Sequence, residues 1–115
     1  MHELSVCLSL LDQVRVIAAE RDATRVTRIE VKIGPLSGVE AELLRNAWPL
    51  ACAGTIAADA DFQIDEAAIV VRCQTCHAES PAQANRLVCG ECGDFRTSIV
   101  SGEEMILQRV ELATA

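Results

Sequence analysis

Six cysteines carry the clearest chemistry of this chain, and four of them form two pairs. Two residues separate Cys73 from Cys76 and Cys89 from Cys92, and twelve residues lie between the pairs. Such spacing lets a tight turn aim both sulfurs at one ion, and two turns complete a tetrahedral site of four thiolates, as in structural zinc centres. Because every position is a cysteine, none is open for a substrate, and we predict a structural zinc ion.

Other chemistry is compatible with parts of this pattern. A rubredoxin-like iron site uses similar turns, and disulfides are the main rival in an oxidising compartment. Cys76-His77 completes a C-x-x-C-H string, as in c-type haem attachment, although the second pair and the lack of a signal sequence argue against haem. His77 is either an exposed loop histidine or an alternative zinc ligand. In the second turn, Gly90 and Gly93 suit a backbone that needs positive φ.

The first three residues form a second candidate metal site. The amine of Met1, the amide and imidazole of His2, and the carboxylate or amide of Glu3 are a nitrogen-rich planar donor set, which favours Ni(II) or Cu(II). The alternative is that His2 faces solvent and Glu3 only complements a helix dipole. Cys7 and Cys52 have no histidine partner in the sequence and are predicted to be small buried apolar residues.

Composition restricts the classes of partner. The chain has 115 residues and a net charge of −7, which fits one compact domain with a small additional module. The acidic balance disfavours nucleic acid and anionic membranes, and the 72–96 segment holds three arginines against three acidic residues. We find no signal peptide or membrane span and expect a cytoplasmic protein whose thiols stay reduced.

Periodicity predicts the elements that position these residues. Apolar residues recur at helical spacing from Leu4 to Ala19, and alternation within "RVTRIEVKIG" predicts a strand. A second helix over 39–53 is expected to kink or end early at Pro49. Further strands are expected at "DFQIDE" and around 98–100 and 105–110. The predicted inward residues are Thr27, Ile29, Val31 and Ile33 in the first strand, Leu43, Leu44, Ala47, Leu50 and Ala51 in the second helix, and Phe62 and Ile64 in the next strand.

Taken together, these features resemble the HypA/HybF family of hydrogenase-maturation nickel chaperones. The resemblance rests on the opening Met-His-Glu, the "RVTRIEVKIGPLSGVE" and "GTIAADADFQI" stretches and the paired cysteines, and it covers nearly the whole chain. It implies an α+β fold in which two helices pack on a three-stranded mixed sheet, with an inserted zinc-ribbon-like module. The implied domains are 1–69 with 100–115, which binds nickel, and 70–99, which binds zinc.

The resemblance also implies a function and ligands. The family delivers nickel to [NiFe]-hydrogenase and in some organisms to urease, with a HypB-type GTPase and the hydrogenase large-subunit precursor as partners. The nickel ligands map onto Met1, His2 and Glu3, and the zinc ligands onto the four paired cysteines. Nickel is transferred cargo, and no catalytic constellation is present, so we predict no enzymatic activity.

This chain departs from many family members in the residue that follows the second cysteine pair. Many family members carry a histidine after each cysteine pair, whereas here His77 follows the first pair and Gly93 the second. A switch of zinc ligands that needs a histidine after each pair is therefore not expected here. The competing class is a zinc-ribbon module that binds a protein or nucleic acid, and the sequence is compatible with a monomer or a homodimer.

Overall fold

The computed structural model describes residues 2–114, and of His2 it describes only the backbone. The chain forms two helices and six strands within this range. In chain order they are α1 (His2–Glu20), β1 (Ala23–Ile33), α2 (Ala41–Cys52), β2 (Asp61–Glu66), β3 (Val70–Cys73), β4 (Glu79–Pro81), β5 (Thr97–Ser101) and β6 (Met105–Thr114).

The first sheet has β1 at its centre. β2 pairs with β1 in parallel and β6 pairs with it antiparallel, so the order is β2-β1-β6 and the sheet is mixed. Since β1 and β2 are parallel, the chain must cross over between them, and α2 lies in that connection. Two helices on a small mixed three-stranded sheet, followed by a second antiparallel sheet, confirm the predicted fold class.

The predicted alternation of buried and exposed side chains along β1 is correct at the carboxyl end of the strand and wrong at Thr27. Ile29, Val31 and Ile33 are buried as predicted, but Thr27 is only half-buried and Val26 takes its place in the core. The register between Val26 and Arg28 shifts by one residue, which leaves Thr27 unpaired in a β-bulge. A bulge moves the following side chains to the other face of the strand. The unpaired Thr27 instead donates its hydroxyl to the carbonyl oxygen of Glu111 at 3.0 Å.

Helix α2 buries a face that overlaps the predicted one only in part, since Ala47 and Ala51 pack against the core as predicted. Leu43 and Leu50 are 46% and 73% exposed, so their assignment to the core is wrong. Leu44 is buried as predicted, and Trp48 and Cys52 are buried with it, at the four-residue spacing that places side chains on one helix face. Trp48 fixes that face by stacking on Phe62 of β2, with ring centroids 4.2 Å apart.

The core lies between both helices and the first sheet. Helix α2 continues through Pro49 to Cys52, and Gly54, with φ +74°, follows its end. The kink at Pro49 stays a prediction.

Within residues 2–114, neither helix is long and apolar enough to cross a bilayer. The fully buried core side chains of the helices and first sheet are Cys7, Leu10, Val14, Ala18, Val26, Ile29, Val31, Leu44 and Cys52.

A second sheet carries the cysteine region, in the order β4-β3-β5, all antiparallel. It meets the first sheet where Gly34, just after β1, lies against Gly102, between β5 and β6. A Cβ added at Gly34 would lie 2.1 Å from the carbonyl oxygen of Gly102, so only glycine allows this approach. The amide of Leu36 donates to the same oxygen at 2.7 Å. The domain boundaries at 69/70 and 99/100 stay predictions.

Candidate metal centres

The four paired cysteines come together in space although the pairs are distant in sequence. All four sulfurs lie within 4.8 Å of one another. Cys73 Sγ is 3.6 Å from Cys92 Sγ, and Cys76 Sγ is 3.5 Å from Cys89 Sγ. A tetrahedron with metal–sulfur bonds of about 2.3 Å has edges of about 3.8 Å. The arrangement therefore fits one four-coordinate metal ion.

The two turns have the same hydrogen-bonding pattern. The amides of Thr75 and Cys76 both donate to Cys73 Sγ at 3.3 Å. In the second turn, Glu91 and Cys92 donate to the Cys89 sulfur at 3.3 and 3.4 Å. Two amide donors per sulfur stabilise the thiolate form, which is the form that binds metal.

These donors divide the thiols into early and late titrating groups. The Cys92 amide, followed by that of Glu91, lowers the pKa of Cys89 to about 6. The Cys76 amide likewise lowers the pKa of Cys73. The Asp94 amide lowers the pKa of Cys92. The neighbouring thiols and burial outweigh this effect and raise the pKa of Cys92 to about 12. Cys89 thus favours the thiolate at neutral pH, whereas metal binding must displace the proton of Cys92.

The residue after each pair has a backbone role. His77 and Gly93 occupy equivalent positions, with φ of 64° and 78°. Each donates its amide to the carbonyl of the first cysteine of its turn, at 3.1 and 3.0 Å. The prediction of positive φ is confirmed at Gly93 but is wrong at Gly90. Gly90 instead allows close packing, since a Cβ there would lie 3.2 Å from Cβ of Ser80.

The imidazole of His77 is exposed, and His77 is not part of the cluster of mutually close ligand atoms. A left-handed backbone at a non-glycine residue is uncommon and persists where the surrounding hydrogen bonds require it. The conformation of His77 is therefore accounted for by the turn alone.

Two polar contacts join the cysteine turns to their surroundings. The Thr75 hydroxyl donates to Asp94 Oδ2 at 2.5 Å, and the amide of Arg96 donates to Asp94 Oδ1 at 2.9 Å. The Thr75 hydroxyl, followed by the Arg96 amide, lowers the pKa of the Asp94 carboxyl. Ser80, which is buried, accepts a hydrogen bond from the Gly90 amide at 2.9 Å. These contacts connect residues of the first turn and β4 to the second turn.

The predicted nickel ligands are only partly within the described residues. Met1 lies outside them, and so does the side chain of His2. Glu3 is half-buried in the first turn of α1 and lines a cleft of about 330 Å³ between the two helices. The other lining residues are Leu4, Leu43, Asn46, Ala47 and Leu50. Of the predicted donor set, the structure thus places one carboxylate beside an exposed apolar surface.

The remaining cysteines are core residues, as predicted. Cys7 and Cys52 are at most 1% exposed, and Cys7 Sγ donates to the Leu44 carbonyl at 3.6 Å. Burial raises the pKa of each thiol to about 11. The negative charge of Glu3 adds to the effect at Cys7, and both thiols stay neutral at physiological pH.

Comparison with known proteins identifies the family. The family described as "Hydrogenase/urease nickel incorporation, metallochaperone, hypA" matches residues 1–112. This chain belongs to the HypA family. The hydrogenase maturation factor HypA of Nitrosospira multiformis is 44% identical over 114 residues, which cover 99% of both chains. That of Aquifex aeolicus is 38% identical over 112 residues, or 97% of each chain.

Solved HypA structures share the fold. The solution structure of the Ni metallochaperone HypA from Helicobacter pylori superposes with a TM-score of 0.70, at 25% identity and 98% coverage of both chains. A second solution structure of a HypA protein gives a TM-score of 0.75 at 26% identity, and covers 100% of this chain and 98% of the other. The resemblance inferred from sequence is confirmed, and the family is one of metallochaperones and not of enzymes.

Sequence reasoning missed several residues that shape the cysteine site of this HypA protein. Thr75, Asp94 and Ser80 are not ligands, and none belongs to the cysteine spacing. One signal could have found Asp94, because an aspartate directly after a tight turn commonly accepts hydrogen bonds from nearby backbone amides. The contact of Asp94 with Thr75, nineteen residues away, has no local signal.

Proposed function

We propose that this chain binds Ni(II) at its amino terminus and delivers it during maturation of [NiFe]-hydrogenase. The observation that carries the proposal is the match over residues 1–112 to a family described by nickel incorporation into hydrogenase and urease. Urease would be a recipient of the same cargo where that enzyme is present. The recipient protein would be the hydrogenase large-subunit precursor, and a HypB-type GTPase would assist the transfer.

The start of α1 supports a terminal chelate. The helix begins at His2, and the first four amides of an α-helix have no acceptor within the helix. The amides of His2 and Glu3 therefore do not have to break helical hydrogen bonds to meet a metal. With the amine of Met1 and the imidazole of His2, they provide nitrogen donors of the kind that planar Ni(II) sites use. A site made from the first residues of a chain also suits a protein that must release its ion.

We propose zinc as the resident ion of the four-cysteine site. The four sulfurs lie close enough together to bind one tetrahedral ion, which leaves no coordination position for a substrate. This donor set is typical of structural zinc. Zinc, when bound, supplies folding free energy to a region that has few buried apolar residues. Cys73, Cys76, Cys89 and Cys92 would hold it, and a reducing cytoplasm would keep all four thiols available.

The nickel proposal is tested by calorimetric titration of zinc-loaded protein with Ni(II). The test variant carries one glycine inserted before Met1, which moves the amine out of the chelate and changes no other side chain. The matched control carries one glycine added after Ala115. Binding near one equivalent is expected for the native chain and the control, and not for the test variant. Equal binding by all three, or by none, would contradict the terminal site and favour an interaction module.

The zinc proposal is tested by metal analysis and native mass spectrometry. Cys76→Ala removes a ligand, whereas Cys7→Ala removes a thiol of the same type from the helical core. We expect about one zinc per chain in the native protein and in Cys7→Ala, and loss of zinc in Cys76→Ala. Iron in the purified protein, visible by its thiolate absorbance, would refute zinc as the resident metal.

A further inference from the structure

The four sulfurs of the cysteine cluster differ in their access to solvent. Cys73 and Cys89, the first cysteine of each turn, are 1% and 3% exposed. Cys76 and Cys92, the second cysteine of each turn, are exposed. Because both turns show the same alternation, one side of the cluster is covered by protein and the other side faces solvent. A reagent in solution therefore meets two of the four sulfurs first.

The backbone accounts for this alternation, since the two turns follow the same course. The amides of Cys73 and Cys89 donate to the carbonyl oxygens of Ala78 and Asp94, each five residues later and each at 2.9 Å. The second cysteine of each turn lies within the loop that this hydrogen bond closes. The exposure of the second cysteines thus follows from the shared backbone conformation of the turns.

Hydrogen bonding separates the same two pairs of sulfurs. Cys73 Sγ and Cys89 Sγ each accept two amide hydrogen bonds, at 3.3 to 3.4 Å. The sulfurs of Cys76 and Cys92 each have one nearby amide, which belongs to the residue two positions later. An amide that donates to a thiolate stabilises its charge, and a more stabilised thiolate is a weaker nucleophile. The exposed sulfurs are therefore also the stronger nucleophiles.

Bound zinc removes the one property that would favour a buried sulfur. A low pKa, such as that of Cys89, makes a free thiol reactive because it increases the thiolate fraction. Every zinc ligand is already a thiolate, so this advantage is lost when the ion is bound. Exposure and hydrogen bonding then decide which sulfurs react. This step rests on the zinc ion proposed above.

We propose that Cys76 and Cys92 are an oxidation-sensitive pair, in which hydrogen peroxide converts the two exposed zinc ligands into a disulfide and the ion is released. One thiolate attacks a peroxide oxygen, the O–O bond breaks, and a sulfenic acid and a hydroxide ion form. The other thiolate attacks the sulfenic sulfur, the S–O bond breaks, and the disulfide forms with loss of a second hydroxide ion. The two sulfurs together lose two electrons, which the peroxide gains.

Nucleophilicity, and not distance, selects the partner in this reaction. All four sulfurs lie within 4.8 Å of one another, and Cys76 Sγ is 3.5 Å from Cys89 Sγ. The buried sulfurs keep their two amide donors, so the second exposed thiolate is the better attacking group. The product retains two of the four thiolates, which no longer form a closed tetrahedral site.

Partial alkylation of zinc-loaded native protein tests the order of reactivity. Iodoacetamide is added below one equivalent, and tandem mass spectrometry of the digest locates the label. We expect Cys76 and Cys92 to carry at least about tenfold more label than the two buried ligands, because susceptibility follows exposure. Cys7 should stay unlabelled, which verifies an intact fold. Labelling of Cys73 or Cys89 as fast as of the exposed ligands overturns the proposal.

Hydrogen peroxide added to the zinc-loaded protein tests the disulfide. A chromophoric chelator follows zinc release, and mass spectrometry maps the non-reduced tryptic digest. Trypsin cleaves after Arg72, Arg86 and Arg96, so each turn lies in its own peptide. A disulfide between Cys76 and Cys92 joins the two peptides, and fragmentation distinguishes it from other pairings. We expect about one zinc ion released for each such disulfide.

The other outcomes of the peroxide experiment overturn the proposal. These are oxidation that leaves zinc bound, and a different disulfide as the main product. Cys7→Ala should release zinc at the native rate, and slower release would place the reactive thiol in the helical core. If metal analysis finds no zinc in the native protein, the zinc proposal fails before any reagent is added, and this inference fails with it.

Discussion

The Thr75 hydroxyl donates a hydrogen bond to the Asp94 carboxylate at 2.5 Å, and this contact joins the two cysteine turns across the metal site. Each residue also supports a ligand of its own turn. The Thr75 amide donates to Cys73 Sγ at 3.3 Å, and the Asp94 amide lowers the pKa of Cys92. The pair therefore fixes the relative position of two sulfurs that come from different parts of the chain.

Asp94→Asn should weaken zinc binding about tenfold, because supporting contacts around ligands typically contribute that much or more. The pKa of the Asp94 carboxyl is below its ordinary 3.8, so this side chain is ionised at neutral pH and the substitution removes a charge-assisted bond. Competition with a chromophoric chelator measures the change. Asp59→Asn, the same substitution at an exposed site between α2 and β2, should have no effect. Equal affinities for all three proteins would contradict the role of Asp94.

Alkaline pH should destabilise the folded protein through the two buried thiols of its core. The pKa of Cys7 and Cys52 is raised from 9.0 to about 11 by burial, so their contribution is complete below pH 9 and is lost as pH rises through about 11. Urea unfolding of zinc-loaded protein should thus give falling free energies of unfolding between pH 9 and 11. Cys7→Val, which cannot ionise, should reduce this slope. An unchanged slope would show that other groups cause the pH dependence.

Gly34→Ala should destabilise the junction of the two sheets by about 1–3 kcal/mol. The new Cβ would meet the backbone carbonyl of Gly102, which cannot move aside as a flexible side chain would. Thermal and urea unfolding measure the loss. Ser98→Ala, at an exposed position of β5, should change the free energy of unfolding by less than about 0.5 kcal/mol. A neutral Gly34→Ala variant would contradict the close approach.

Phe62→Leu should destabilise the protein by about 1 kcal/mol and change the fluorescence of Trp48. The stacked rings are 4.2 Å apart and nearly parallel, at 7°, and such pairs contribute about 0.5–1.5 kcal/mol beyond their buried area. Trp48 is the one tryptophan of the chain, so its emission reports this contact directly. The matched control is Phe95→Leu, at a side chain that is 76% exposed. Similar losses in both variants would indicate that stacking contributes little.

Nickel affinity should fall as pH decreases from 8 to 6. The proposed ligands include the terminal amine and the His2 imidazole, whose ordinary pKa values are about 7.7–8.0 and about 6.5, and protons compete with the metal for both nitrogens. Calorimetry at several pH values, in buffers of different ionisation enthalpy, measures affinity and the protons released. Affinity that does not vary with pH, without proton release, would argue against these nitrogen donors.

The sequence was sufficient for features that depend on local spacing. Two C-x-x-C pairs predict a four-sulfur site wherever the turns meet, because each turn already aims two sulfurs at one point. Helix α1 and strand β2 were likewise predictable, since an amphipathic pattern of period 3.6 or 2 determines which side chains share a face. The family resemblance depends on the same local features, together with the opening triplet.

Tertiary structure decided what depends on contacts between distant residues. The core face of α2 follows from the stacking of Trp48 on Phe62, so Leu50 is exposed although the helical pattern allowed it inside. The bulge at Thr27 arises from pairing with β6, more than eighty residues later in the chain. The contact between Thr75 and Asp94 exists only once both cysteine turns have been brought together. Local sequence determines which elements form, whereas burial and pairing energies between elements select the face and register in which they meet.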